Sequence, residues 1–285
     1  MTVRDLGYRP YEGARLPPSN NAWVMLRHGL SRAWASWLVK IAIFLSGGPL
    51  LVFAVYVVLR LWMTRSMGAT DALDDFDGSE PLRLLYTSET WLAVSLLTLG
   101  AGAPSIAEDL TFRAFQFYFA KPVTPEQYYA GRALAVAIPV FGVTFVPAVL
   151  VDITMVAMLP TEHATDALGL LLPCVVYSLV LAVVMGAGSV AVSSLSKSRA
   201  LTMSAWVLCF VVPHALAAVV DAIGHWPWLY LGSFTGLLGV LADALFRVES
   251  DSDLHWWHAA PVLAGFVAGA IALSLHRLRA AEVIT

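Results

Sequence analysis

Long runs without charge alternate along this chain with short stretches where charged residues collect. Six runs reach the ~20 apolar residues needed to cross a hydrocarbon core ~30 Å thick. They read as Leu38–Trp62, Tyr86–Ala107, Ala133–Met158, Leu168–Leu195, Leu201–Asp221 and Trp257–His276. Because water does not reach the bilayer core, each run must satisfy its own backbone, which at this length means helix rather than barrel strand. The pattern predicts an all-α integral membrane protein with about six transmembrane helices. A shorter, glycine-rich apolar stretch, Leu229–Leu245, reads as a re-entrant or interfacial segment before the last span.

A different period precedes the first run. Asp5–Ser19 carries Gly7, Pro10, Gly13, Pro17 and Pro18 and predicts an extended or turning lead-in. Asn20 or Asn21 then caps a helix beginning near Ala22. At ~100° per residue, Trp23, Leu26, Leu30, Ala33, Trp34 and Trp37 share one face, and His28, Ser31, Arg32 and Ser36 share the other. This predicts an amphipathic helix in the membrane interface, with Trp23, Trp34 and Trp37 at the headgroup boundary and Arg27 and Arg32 toward lipid phosphate. Packing against protein is the alternative. The expected organisation is a cytoplasmic lead-in and interfacial helix over residues 1–37, then a six-helix membrane domain over 38–285.

Composition supports the pattern: 59% of residues are apolar and 13% charged, about half the charged share of a soluble domain. Charge adds a direction. With both termini cytoplasmic, all of the 17 Lys and Arg except Arg60, Arg65, Arg83 and Arg247 fall on the inner side, as the positive-inside rule requires. The opposite loops are acidic instead, with Asp71, Asp74, Asp75, Asp77 and Glu80 after the first span and Glu249, Asp251 and Asp253 before the last. The first 37 residues hold no apolar core, so no cleavable signal peptide is expected. Cys174 and Cys209 fall inside spans and read as small apolar thiols.

The longest polar break on the inner side runs from Glu108 to Arg132. Its first half predicts a short aromatic helix with Phe112, Phe115 and Phe119 at helical spacing, ended by Lys121-Pro122. Thr124-Pro125-Glu126 then reads as a second helix start, Thr124 as cap and Pro125 in the first turn. A solvated loop would not need these aromatics, so the break reads as a docking surface.

Residues Ala107–Arg132 resemble the signature of ABC transporter permeases of the type-2 exporter family. The resemblance is carried by the acidic pair Glu108-Asp109, the apolar helix Leu110–Ala120, the turn Lys121-Pro122-Val123-Thr124, the aromatics Tyr128-Tyr129 and the pair Gly131-Arg132. The chain departs from the pattern at Arg113, where the family often has Gly or another small residue, and at Arg132, where it has Lys. The resemblance implies an inner-membrane, multi-pass permease, paired with a second copy or a paralogue, that moves a hydrophobic or amphipathic substrate outward. It also implies that this break is a coupling element, Glu108, Asp109, Phe112, Arg113, Phe115, Phe119, Lys121 and Pro122, seated in a groove of a separate cytoplasmic ATPase.

The expected chemistry is sparse. No G-x-x-x-x-G-K-[ST] run occurs, so this chain is expected to bind no cofactor and to be no enzyme, with ATP and Mg on the partner. Membrane lipid is an expected partner and nucleic acid is not. Within the spans His214, after Pro213, is a candidate for a substrate path or a hydrogen bond to freed backbone. Asp152 and Asp221 read as interfacial. The pair His255 and His258 lacks acidic or cysteine ligands beside it, so no metal site is expected. Rival readings are a non-transporting structural or assembly subunit and an intramembrane enzyme. For the enzyme, neither a serine-protease motif nor H-E-x-x-H appears.

Overall fold

A computed structural model describes residues 20–66, 79–115, 118, 123–158, 168–248 and 253–284. Phe119, Lys121, Pro122, the lead-in 1–19 and the acidic residues 71–77, 249 and 251 lie outside the described residues. Among the described residues six helices are long and apolar enough to cross a membrane: Trp37–Thr64, Leu82–Thr111, Pro125–Ala157, Leu171–Ser194, Arg199–Gly224 and Trp256–Ala280. Each coincides with one of the six apolar runs.

In chain order, α1 is Asn21–Ala35 and α2 is Trp37–Ser66. The second span is composite: α3 (Ser79–Glu89), a π turn over Thr90–Val94, α4 (Ser95–Ala101) and α5 (Ser105–Thr111). Then come α6 (Pro125–Met158), α7 (Leu171–Ser194), α8 (Arg199–Gly224), a 3₁₀ turn over Pro227–Gly232, α9 (Phe234–Phe246) and α10 (Trp256–Ile284). Burial separates centre from rim. The most apolar stretches of the second and fourth spans are 69% and 67% buried, against 13% and 11% for the first and fifth. So α7 and the second span form the core, while α2 and α8 turn Phe44, Leu51, Leu208 and Leu216 outward.

Close helix contact in the core uses small residues. A Cβ at Gly186 would lie 3.0 Å from the Ala133 carbonyl oxygen, and one at Gly188 would lie 2.9 Å from the Phe266 ring. By contrast Gly47, Gly48 and Gly142 have nothing within 4 Å of a built Cβ. They mark open space.

At one end of the bundle α3, α7 and α9 are tied together. The Tyr86 hydroxyl donates to the Cys174 carbonyl at 3.0 Å and lies 3.0 Å from Ser178 Oγ. Its ring meets Tyr177 at 4.8 Å and Phe246 at 5.5 Å, and Arg83 pairs with Asp243. With 13 residues, α9 is about 20 Å long at ~1.5 Å per residue, too short to cross. It is packed into the bundle through Leu237, Leu238 and Phe246. Cys174 and Cys209 are both free.

At the other end lies α1, and its expected apolar face is divided. Met25, Leu26, Gly29 and Ala33 are buried where α1 crosses α6, whereas Trp23, Trp34 and Trp37 are exposed. Protein and the outer surface therefore each take part of the face. The crossing depends on two glycines: a Cβ at Gly29 would sit 2.6 Å from Ala135 Cβ, and one at Gly131 would sit 2.5 Å from Met25 Cβ. Helix α1 starts at Asn21, and Asn20 makes no side-chain cap hydrogen bond.

Helix α6 begins where Thr124-Pro125 predicts. Thr124 Oγ1 accepts from the Gln127 backbone N–H at 3.3 Å, and Gln127 Oε1 accepts from the Thr124 N–H at 3.3 Å, a reciprocal capping box. It then runs unbroken for 34 residues past Pro139 and Pro147, about 50 Å. The second helix of the polar break and the third span are thus one rod.

Candidate functional site

The acidic pair of the polar break sits on α5, whose position is set by α7. Ser193 Oγ accepts from the Ile106 and Ala107 backbone N–H groups at 2.8 and 3.0 Å. These are first-turn donors with no partner inside the helix, so a serine from a neighbouring span caps α5. Thr111 Oγ1 donates to the Lys197 carbonyl, holding the other end. The sequence offers no signal for Ser193, because it lies 86 and 87 positions from the amides it caps.

After Thr111 the helix breaks. Phe112 is its C-cap, and Arg113 is left-handed with φ 53°, a conformation that suits glycine. Arg113 stands where the resembled family carries a small residue. The expected ridge is corrected for Phe112 and Phe115, while Phe119 lies outside the described residues. Phe112 is 75% exposed, whereas Phe115 is buried with its ring 5.3 Å from Tyr128. The left-handed residue between them turns the chain, so helical spacing no longer puts them on one face.

Glu108 and Asp109 point inward. Asp109, 4% exposed, accepts from Arg32 Nη1 at 2.9 Å, from the Tyr128 hydroxyl at 2.6 Å and from Arg132 Nη2. Glu108 pairs with Arg32 and, at 3.1 Å, with Arg199. Four helices, α1, α5, α6 and α8, meet in this network. The reading of both carboxylates as charges offered to a partner is corrected for Asp109, which is fully engaged inside. Arg32 likewise faces these carboxylates, while Arg27 remains exposed.

Arg132 is 2% exposed, with its guanidinium carbon 5.4 Å from the Tyr128 ring centre. A guanidinium so deeply buried requires a carboxylate partner, and Asp109 supplies it. His28, on α1, is held below the ordinary histidine range, by burial first and then by Arg132 and Arg32. Close by, Arg279 on α10 donates to Glu126 at the start of α6 at 2.7 Å, so the first helix and the last lie at the same end of the bundle.

The remaining candidates lie apart from this centre. His214 Nδ1 is 3.4 Å from Ser233 Oγ, and its ring is 5.7 Å from that of Tyr230. Its ring lies against the 3₁₀ turn through Tyr230. Asp152 is fully buried in α6, and neither carboxyl oxygen has a hydrogen-bond partner among the described residues. Asp152 thus faces the bundle interior. The His255 N–H donates to His258 Nδ1 at 3.2 Å, and no group of three or more potential ligands occurs among the described residues. No protein-family model and no curated protein matches this chain.

Proposed function

We propose that this chain is the permease subunit of an ATP-driven exporter of the type-2 ABC family, lying in the inner membrane with the α1 and α5 end in the cytoplasm. The observation that supports the reading is the tip at Phe112 and Arg113. An exposed phenylalanine beside an exposed cation follows a short helix that is clamped to four other helices. Such a tip fits burial in a groove of a partner, with the aromatic ring as anchor and the charge setting orientation. A separate cytoplasmic ATPase binds ATP and Mg and receives the tip. Glu108 and Asp109 then act as the linkage: they pass a displacement of α5 to α1, α6 and α8, biasing the spans between two packings. A second copy or a paralogue completes the path for a hydrophobic or amphipathic substrate.

The test is co-purification of an ATPase, followed by its stimulation. Phe112→Ala and Arg113→Gly each lower stimulation about tenfold, the effect expected of an interface anchor. Because both side chains are exposed, the permease's melting temperature does not fall. A correctly folded chain that recovers no ATPase from its native membrane overturns the proposal and favours the structural or assembly subunit.

A further inference from the structure

Three arginines and two carboxylates meet at the α1 and α5 end, which leaves one positive charge over. Arg32, Arg132 and Arg199 border a cleft of about 340 Å³ that Glu108, Ser36 and Ser105 also line. Three buried polar atoms of residues that line it have no hydrogen-bond partner among the described residues: Arg132 Nε, Ser36 Oγ and Ser105 Oγ. Arg132 and Ser105 are 2% and 8% exposed, so solvent does not serve them well. Buried donors left open in this way call for an acceptor. Excess positive charge beside open polar groups selects an anion with several oxygens, which is the chemistry of a phosphate group.

Next to the cleft runs an apolar groove of about 760 Å³ between α1, α2 and α6, lined by Ala33, Trp34, Ile43, Gly142, Val143 and Val146. Ala33 borders both spaces. Gly142, within the groove, has nothing within 4 Å of a built Cβ. A charged compartment thus opens beside a greasy one along the side of an apolar helix. That is the shape of a headgroup followed by a chain.

We propose that cleft and groove together hold one anionic phospholipid of the adjacent leaflet. Its phosphate lies among Arg32, Arg132, Arg199, Ser36 and Ser105, and an acyl chain lies against Ile43, Gly142 and Val146. The site is independent of any ATPase. By occupying the cleft, the lipid neutralises the surplus charge and steadies the junction of α1 with α6.

Native mass spectrometry of the full chain in detergent tests this with three probes: dioleoyl phosphatidic acid, dioleoyl phosphatidylcholine and inorganic phosphate. Phosphatidylcholine has the same chains and a phosphate but carries its own cation. Phosphatidic acid is expected to be retained about tenfold better than phosphatidylcholine, through the charge-assisted bonds. Ser105→Ala and Arg199→Gln each reduce that preference. Gly142→Leu fills the groove and weakens both lipids. Equal retention of the two lipids overturns the proposal, as does an unchanged Gly142→Leu protein. Inorganic phosphate holding as firmly as phosphatidic acid overturns it too, since the ligand would then be the free ion. Should Arg199→Gln not fold, Ser105→Ala carries the same test, because its hydroxyl has no partner to lose.

Discussion

Asp109 and Asp152 show how differently two buried carboxyls are treated in one protein. Asp109 receives donors from Arg32, Tyr128 and Arg132, and Asp152 receives none among the described residues. Removing one member of a buried pair strands the other, at a cost of about 3–5 kcal/mol. Asp109→Ala is therefore expected to lower the melting temperature in detergent sharply. Replacing Arg132 as well should cost less than the two single changes added together, because the stranded guanidinium goes with it. Asp152 predicts the reverse. Asp152→Asn breaks no hydrogen bond seen in the structure and removes a buried carboxyl that has no partner among the described residues, so stability is expected to hold or rise. A large loss on thermal unfolding would mean that the carboxyl has a partner after all.

Elements in this protein are positioned by their neighbours more than by their own caps. Helix α5 takes its cap from Ser193 on α7, and α1 reaches α6 only because Gly29 and Gly131 face each other's helices. Ser193→Ala leaves two amides unsatisfied and should cost about 1 kcal/mol, seen as faster hydrogen exchange across 105–111. Gly131→Leu should act on α1 instead. Its side chain would push against Met25 and the backbone at Leu26, overpacking worth about 1–3 kcal/mol. Protease cleavage within 21–35 is expected to accelerate while the spans hold. Equal protection in parent and variant would show that α1 is held by something other than this crossing.

For the whole molecule the arrangement of ends is the testable feature. Arg279 reaches Glu126 at the start of α6, and the same end of α6 carries α1, so α1 and the last turns of α10 belong with the α5 tip. Six crossings require the same. In a background of Cys174→Ala and Cys209→Ala, an impermeant thiol reagent should label Arg113→Cys and Arg277→Cys from one side of the membrane. Arg247→Cys should react from the other. Labelling of Arg113→Cys and Arg277→Cys from opposite sides would remove one crossing and with it the proposed orientation. The outward apolar faces of α2 and α8 are covered by lipid or protein in any such arrangement, since neither can face water over this length.

What the sequence determined on its own is the set of spans, the start of α6 at Thr124-Pro125, and the uneven distribution of basic residues. These are properties of a single segment: enough apolar length leaves a chain in lipid no choice but helix, and a capping sequence acts within four residues. The tertiary structure alone decided the rest. Periodicity groups Leu26 with Trp34 on one face of α1 but cannot say which of them meets α6 and which faces outward. The role of Asp109 depends on Arg32, 77 positions before it, and that of Ile106 on Ser193, 87 positions after it. A break at a left-handed Arg113 separates Phe112 from Phe115 despite their helical spacing. Contacts of this kind are set by where rigid helices cross, and no local pattern records a crossing.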